Sequence, residues 1–211
     1  MYELADVLPE TEVAPGTNVL VVGPPLTGKR KLALRLLATG SNRGEGAIIV
    51  TTKDGSERIL SEYADLVGDV DGIDLGVVDC VARQQGTPEV DDERVAYADS
   101  PVDMAGIGIE LSEFLETFAT ERGLERNRIL LYSLSTLLMY ADLKTVFRFL
   151  HVFTGRVQSA NALGVFVIDS TAHDERTMNT LKQLFDVAVT VEEGEDELDL
   201  RVDGLYDHTS Q

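Results

Sequence analysis

Asn18-Val19-Leu20-Val21-Val22 is a run of strand length that ends at Gly23, and Leu32, Ala33, Leu36 and Leu37 recur at helical spacing soon after it. Between them lies Gly23-Pro24-Pro25-Leu26-Thr27-Gly28-Lys29-Arg30, which carries the pattern G-x-x-x-x-G-K from Gly23 to Lys29. A continuous apolar run without polar alternation suits a strand covered on both faces, as in a parallel sheet. Strand, glycine loop and helix together form the setting in which this pattern cradles phosphate. Gly23 and Gly28 let the backbone wrap close to an anion, successive N–H groups and the helix N-terminus point at it, and Lys29 neutralises β/γ-phosphates. The competing reading is a tight strand-to-helix turn that binds nothing.

The alternation continues along the chain. Gly40 is placed to end the first helix in a left-handed cap. Ala47–Val50 reads as a second strand, Glu57–Val67 as a helix and Ile73–Val78 as a third strand. Residues 82–105 lack periodicity and read as a surface loop. A helix is expected near 106–122, with Ile107, Leu111, Phe114, Leu115 and Phe118 on one face and Gly123 at its end. Ile129–Tyr132 is a strand, and Asp142 N-caps a helix striped by Leu143, Val146, Phe147, Leu150, Phe153 and Val157. Val165–Ile168 is a strand, Asp174 caps a helix carrying Met178, Leu181, Leu184 and Phe185, and Val187–Val191 with Leu198–Val202 make a closing hairpin. The expected organisation is a leading segment at 1–17, one α/β domain at 18–205 and a tail at 206–211.

The 211 residues carry a formal charge of -19, from 37 acidic against 18 basic side chains, and the acids run along the whole chain. Arg outnumbers Lys, and this acidic, Lys-poor composition resembles cytosolic proteins of halophilic archaea; an acidic mesophilic protein is the alternative. Such a charge argues against direct nucleic-acid binding, which needs cations to displace the counterions on phosphates. The single cysteine, Cys80, forms no intrachain disulfide, and no Cys/His cluster has zinc spacing. The beginning of the chain lacks a signal-peptide pattern and no stretch reaches the ~20 apolar residues of a membrane span, so a cytoplasmic protein without membrane insertion is expected.

The loop, the strand Arg128-Ile129-Leu130-Leu131-Tyr132 with Ser133-Leu134-Ser135-Thr136-Leu137-Leu138 after it, and Thr145-Val146-Phe147-Arg148-Phe149-Leu150 together resemble the RecA superfamily, specifically its KaiC-like ATPases. Archaeal members include relatives of the archaellum ATPase and of the gas-vesicle regulator GvpD. The resemblance covers about residues 15 to 203. It implies a RecA-like P-loop fold, a three-layer α/β/α domain with a mostly parallel central sheet and a C-terminal β-hairpin. It also implies ATP or another nucleotide at Gly23, Pro24, Pro25, Leu26, Thr27, Gly28, Lys29 and Arg30.

Four positions depart from the family pattern. The Ser or Thr whose hydroxyl meets Mg²⁺ is replaced by Arg30, which has donors only. The Walker B carboxylate position holds Tyr132, a neutral phenol at pH 7. The glutamate pair that ends the second strand matches Thr52 and Lys53, with Asp54 and Glu57 nearby as substitutes. Arg30 either contacts phosphate directly or turns to solvent. Asp169, ending the fifth strand, is either a sensor or relocated ligand in the crevice, or a turn cap for Ser170 and Thr171.

The expectation is therefore a pseudo-ATPase: a non-hydrolysing or weakly hydrolysing nucleotide-binding regulatory or scaffold protein that assembles with itself or a protein partner, with Mg²⁺ disfavoured. The alternatives are an active ATPase with ligands moved to Asp169, Asp54 or Glu57, and a DNA-linked recombination or transcription module. His151, His173 and Cys80 belong to no nucleophile–base set. His173 reads as a surface loop residue and Cys80 as a small buried hydrophobe.

Overall fold

The computed structural model describes residues 1–4, 7–8, 11–193 and 198–204, without the side chains of Glu193 and Leu198. Two short strands, β1 (Tyr2–Glu3) and β2 (Glu12–Val13), pair antiparallel with Tyr2 opposite Val13. The main elements follow as β3 (Asn18–Gly23), α1 (Lys29–Ser41), β4 (Gly46–Thr51), α2 (Ser56–Val67), β5 (Leu75–Asp79), α3 (Ala82–Gln85), β6 (Val95–Tyr97) and α4 (Met104–Thr120). The second half comprises β7 (Asn127–Tyr132), α5 (Leu134–Tyr140), α6 (Leu143–Ser159), β8 (Leu163–Asp169), α7 (Glu175–Lys182), β9 (Val187–Glu193) and β10 (Leu198–Asp203).

The large sheet has the order β10-β9-β3-β8-β7-β4-β5-β6. All its neighbours run parallel except β10, which returns antiparallel along β9 with Leu200 opposite Val191. Successive side chains of a strand point to opposite faces, so an apolar strand feeds two cores at once. Val19 and Val21 of β3 join one cluster with Leu32, Leu36, Ile59 and Tyr63 from α1 and α2. Leu20 and Val22 join the other with Ile107, Leu111, Val146, Leu150 and Leu181 from α4, α6 and α7. The result is three layers, with β3 in the interior of the sheet and its loop at the carboxyl ends of the strands, where ligands of open α/β sheets bind.

Several sequence expectations change. Gly40 lies inside α1, which runs on to Asn42 as its C-cap, and the left-handed glycine is Gly44. A Cβ at Gly40 would overlap Arg128 Nε and lie 2.7 Å from Glu45 Oε2, so this glycine makes room for a buried ion pair rather than ending a helix. Residues 82–105 are not a plain loop: they contain α3 and the edge strand β6. The segment after β7 is the helix α5, and α7 stops at Lys182, before Leu184 and Phe185. Asp142 and Asp174 are N-caps, accepting from the amides of Thr145 and Thr177 at 2.9 and 2.8 Å. In the leading segment Tyr2, Leu4, Leu8 and Val13 are buried in the main core. The expected tail at 206–211 and the hairpin turn at 194–197 lie outside the described residues.

Candidate functional site: the loop after β3

The loop leaves β3 at Gly23, where a Cβ would overlap the Val191 carbonyl of β9 and crowd Lys29 Cδ and Thr27 Oγ1 at 3.1 Å. Glycine is therefore required here by the neighbouring strand as well as by any ligand. Leu26 and Gly28 take left-handed backbone angles, φ 66° and 79°, on either side of Thr27. For leucine that conformation is strained by about 1–2 kcal/mol, and its side chain is 98% exposed at the lip of the cleft. Thr27 is buried and donates to the Pro24 carbonyl at 2.8 Å, which keeps its hydroxyl inside the loop.

Lys29 points across the loop rather than out of it. Its ammonium donates to the Pro24 carbonyl and meets Asp169 Oδ1 at 2.8 Å, with the two side chains 6% and 24% exposed. The sheet brings Asp169 there, since Gly23 and Asp169 are register partners on adjacent strands and the Ser170 amide donates to Gly23 O at 2.9 Å. The Asp169 amide in turn donates to Ser135 Oγ at 3.0 Å, and that hydroxyl shares a 2.8 Å hydrogen bond with His173 Nε2. Asp169 is thus an ion-pair partner of the loop lysine, not a turn cap. His173 is partly buried rather than a free surface residue, and that burial lowers its pKa below the ordinary histidine value against the opposing pull of Asp169 and Asp174.

Arg30 neither turns to solvent nor lies free for a ligand. Its guanidinium lies 3.0 Å from Asp54 Oδ2 and 2.6 Å from Glu62 Oε2, with its carbon 5.5 Å from the centre of the Tyr132 ring. These contacts lie off the hydrogen-bonding directions, so Arg30 Nε, Arg30 Nη2 and Asp54 Oδ2 are buried without an aligned partner. Arg58, one turn before Glu62 on α2, bonds both carboxylates as well, at 2.9 Å to Asp54 and 3.0 Å to Glu62. Burial raises the Tyr132 pKa, and although Lys53 and Arg30 pull it down, the phenol stays neutral at pH 7.

The turn that carries Asp54 is tied down from three strands. Thr51 Oγ1 donates to Asp54 O at 2.6 Å. Thr52 Oγ1 donates to Ser133 O at 2.9 Å and accepts from the Ser133 amide at 2.8 Å, beside a cis Tyr132–Ser133 peptide. Asp79, buried at the end of β5, accepts from the amides of Ser56, Val81 and Ala82 at 2.6, 2.8 and 3.0 Å.

Thr52 is therefore spent on backbone contacts and Asp54 is the group that enters the cleft, while Glu57 is exposed on α2 outside the cleft wall. Glu62, Arg58 and Asp79 escaped the sequence reading. For Glu62 and Arg58 the signal was the helical spacing from Asp54, whose i,i+4 neighbour is Arg58.

The cleft so formed has a volume of about 430 Å³, and its wall contains five basic side chains, Lys29, Arg30, Lys31, Lys53 and Arg58, against three acidic ones, Asp54, Glu62 and Asp169. In a chain of charge -19 this is a locally positive surface at the loop after β3. A magnesium ion does not fit these side chains: the hydroxyl position is a guanidinium, the carboxylate position is a phenol, and Asp54 and Glu62 already hold a cation. Among the described residues no three His, Cys, Asp or Glu side chains converge as a metal cluster. A larger cleft of about 830 Å³ at the other end of the sheet has a mainly acidic wall, with Asp71, Asp74, Asp91, Asp92, Glu93 and Glu121 against Arg94 and Arg122. His151 is exposed on α6, and Cys80 is buried, with burial pushing its thiol pKa up.

Fold and loop together define a RecA-like P-loop domain. The structure superposes on a KaiC-like protein of the hyperthermophilic archaeon Pyrococcus horikoshii OT3 with a TM-score of 0.62 at 14% identity, over 94% of this chain and 82% of that one. It superposes on an uncharacterized protein of Pyrococcus horikoshii, PH0321, solved in complex with an unknown peptide, with a TM-score of 0.71 at 10% identity, over 95% of this chain and 88% of that one. No curated protein sequence matches the chain. Residues 16–191 match the model of DUF7504, a family of unknown function, and the chain belongs to that family. No helix among the described residues is long and apolar enough to cross a membrane.

Proposed function

We propose that this chain is a degenerate KaiC-like protein, of haloarchaeal type, that binds a nucleotide without Mg²⁺ and does not turn it over, serving as a regulatory or scaffold component. The observation that carries the reading is Arg30, a fixed cation lying between Asp54 and Glu62 where an ATPase of this fold needs a metal hydroxyl and free carboxylates. Phosphoryl transfer depends almost wholly on positioning and charge neutralisation around the reacting phosphate. A pseudo-ATPase keeps the second half of that machinery, as protein cations and loop amides, and loses the water-activating and metal-holding half. Its acidic composition suits a saline cytoplasm, where short screening lengths relieve self-repulsion.

Action through protein contacts, with itself or a partner, is supported by the peptide bound to the structurally similar PH0321. It is also supported by the exposed apolar side chains Ile109, Met139, Tyr140 and Val152 on α4, α5 and α6. The rival reading, an active ATPase with moved ligands, has one specific observation in its favour, because Asp54 and Asp169 both reach the cleft. Turnover assays in concentrated KCl separate the two. Mg²⁺-dependent hydrolysis abolished by Lys29→Ala establishes the ATPase, whereas binding without hydrolysis supports the regulatory protein. The -19 charge leaves a DNA-linked role dependent on a partner rather than on direct contact.

A further inference from the structure

We infer that Asp169 makes the loop select a nucleoside diphosphate over a triphosphate, an inference that rests on the nucleotide-binding reading above. The lysine of this loop pattern is the group that meets the outermost phosphates. Here its ammonium is already met by Asp169 Oδ1 at 2.8 Å and by the Pro24 carbonyl. The carboxylate is not a wandering surface group. Register pairing sets it beside Gly23, Ser135 Oγ holds its amide at 3.0 Å, and the Ser170 amide fastens the next residue to Gly23 O at 2.9 Å. Three of the protein's own carboxylates, Asp54, Glu62 and Asp169, stand in the same cleft wall as its five cations.

A third phosphoryl group therefore meets a fixed anion instead of a free ammonium. To bind, a triphosphate either lies against Asp169, where like charges a few ångströms apart repel strongly in a partly dry cleft, or displaces it from Lys29 and leaves a partly buried carboxylate unpaired. No bridging metal is available from these residues to neutralise the added charge. A diphosphate uses the loop amides, the helix N-terminus and the third donor of the Lys29 ammonium, and leaves the Lys29–Asp169 pair in place. Asp169 thus fills the position of a terminal phosphate and determines how long a phosphate chain the loop accepts.

The test is equilibrium titration of the full chain in KCl with excess EDTA, using ADP and ATP, GDP and GTP, and pyrophosphate and tripolyphosphate as base-independent probes. The wild type is expected to bind the two-phosphate member of a pair at least ~10-fold more tightly than the three-phosphate member. Asp169→Asn, which keeps the size and removes the charge, is expected to gain affinity for the three-phosphate member and close that gap. Asp169→Ser serves the same purpose if the Asn variant does not fold by circular dichroism. Wild type that binds three-phosphate ligands as tightly as two-phosphate ligands, or a preference unchanged in the folded variant, overturns this inference and leaves nucleotide binding standing. Failure of every probe to bind either protein overturns both.

Discussion

Arg128 and Arg30 each lie over a tyrosine ring and face a glutamate, but they stand at opposite ends of the sheet strands and in opposite states of satisfaction. Arg128 is fully buried. Its Nε donates to Glu45 at 2.5 Å, Nη1 to Leu36 O and Thr39 Oγ1 at 2.6 and 3.0 Å, and Nη2 to Glu3 O at 3.1 Å, with the Tyr2 ring 5.6 Å away. Arg30 keeps two carboxylates and the Tyr132 ring, yet its Nε and Nη2 have no aligned partner and its cleft is open to solvent. A fully bonded buried charge fixes one arrangement of the chain, in this case β1 against α1 and β7. A paired but poorly aligned charge beside a cleft fixes its surroundings less completely, and that asymmetry separates the end of the sheet that holds the fold from the end proposed to bind.

Replacing Arg128 is the sharpest way to break the comparison. Arg128→Met removes the close partner of buried Glu45 and leaves it only the longer 3.8 Å pair with Arg126, and the expected loss is about 3–5 kcal/mol in denaturant unfolding at fixed salt. Arg30→Met leaves Asp54 and Glu62 still paired with Arg58, and is expected to cost under about 1 kcal/mol in the same experiment. Equal losses would remove the distinction between the two ends. Gly40→Ala comes next. Alanine is the better helix former, but its Cβ collides with the Arg128–Glu45 pair, so a net loss of about 1–3 kcal/mol is expected, and a stabilised variant would show that the pair has room to move.

The smallest effect concerns His173, which packs behind Asp169 on Ser135. Its pKa is lower in the folded chain than its ordinary value near 6.5. Between those two values the unfolded chain binds more protons, so its contribution to stability is complete above about pH 6.5 and falls as pH drops toward the folded value. Unfolding midpoints measured from pH 7.5 to 5 should show this slope, and His173→Gln should flatten it; an identical slope in the variant would place the proton uptake elsewhere.

The two ends of the sheet also differ in how far the sequence disclosed them. The loop after β3, the caps Asp142 and Asp174 and the alternation of strands and helices are local patterns, readable from spacing within a few residues. The Arg128–Glu45 pair joins positions far apart in the chain, and an arginine beginning an apolar strand carries no local mark of burial. Gly40 was misread for that reason, because its glycine answers to Arg128 and not to its own helix. The edge strand β6 has three half-buried residues and no alternating pattern long enough to stand out. At the site, Arg30 and Tyr132 were legible as departures from the pattern that the chain resembles. What the sequence could not place was the replacement set, since Glu62 reaches Arg30 only once α2 packs beside α1.

Nucleotide binding by wild type and Lys29→Ala, titrated in KCl with Mg²⁺ or with excess EDTA, tests the central claim most directly. The account predicts binding that is the same with and without Mg²⁺, is lost in the Lys29→Ala chain, and is accompanied by no turnover. Affinity that disappears on chelation, or hydrolysis that depends on Lys29, would contradict it.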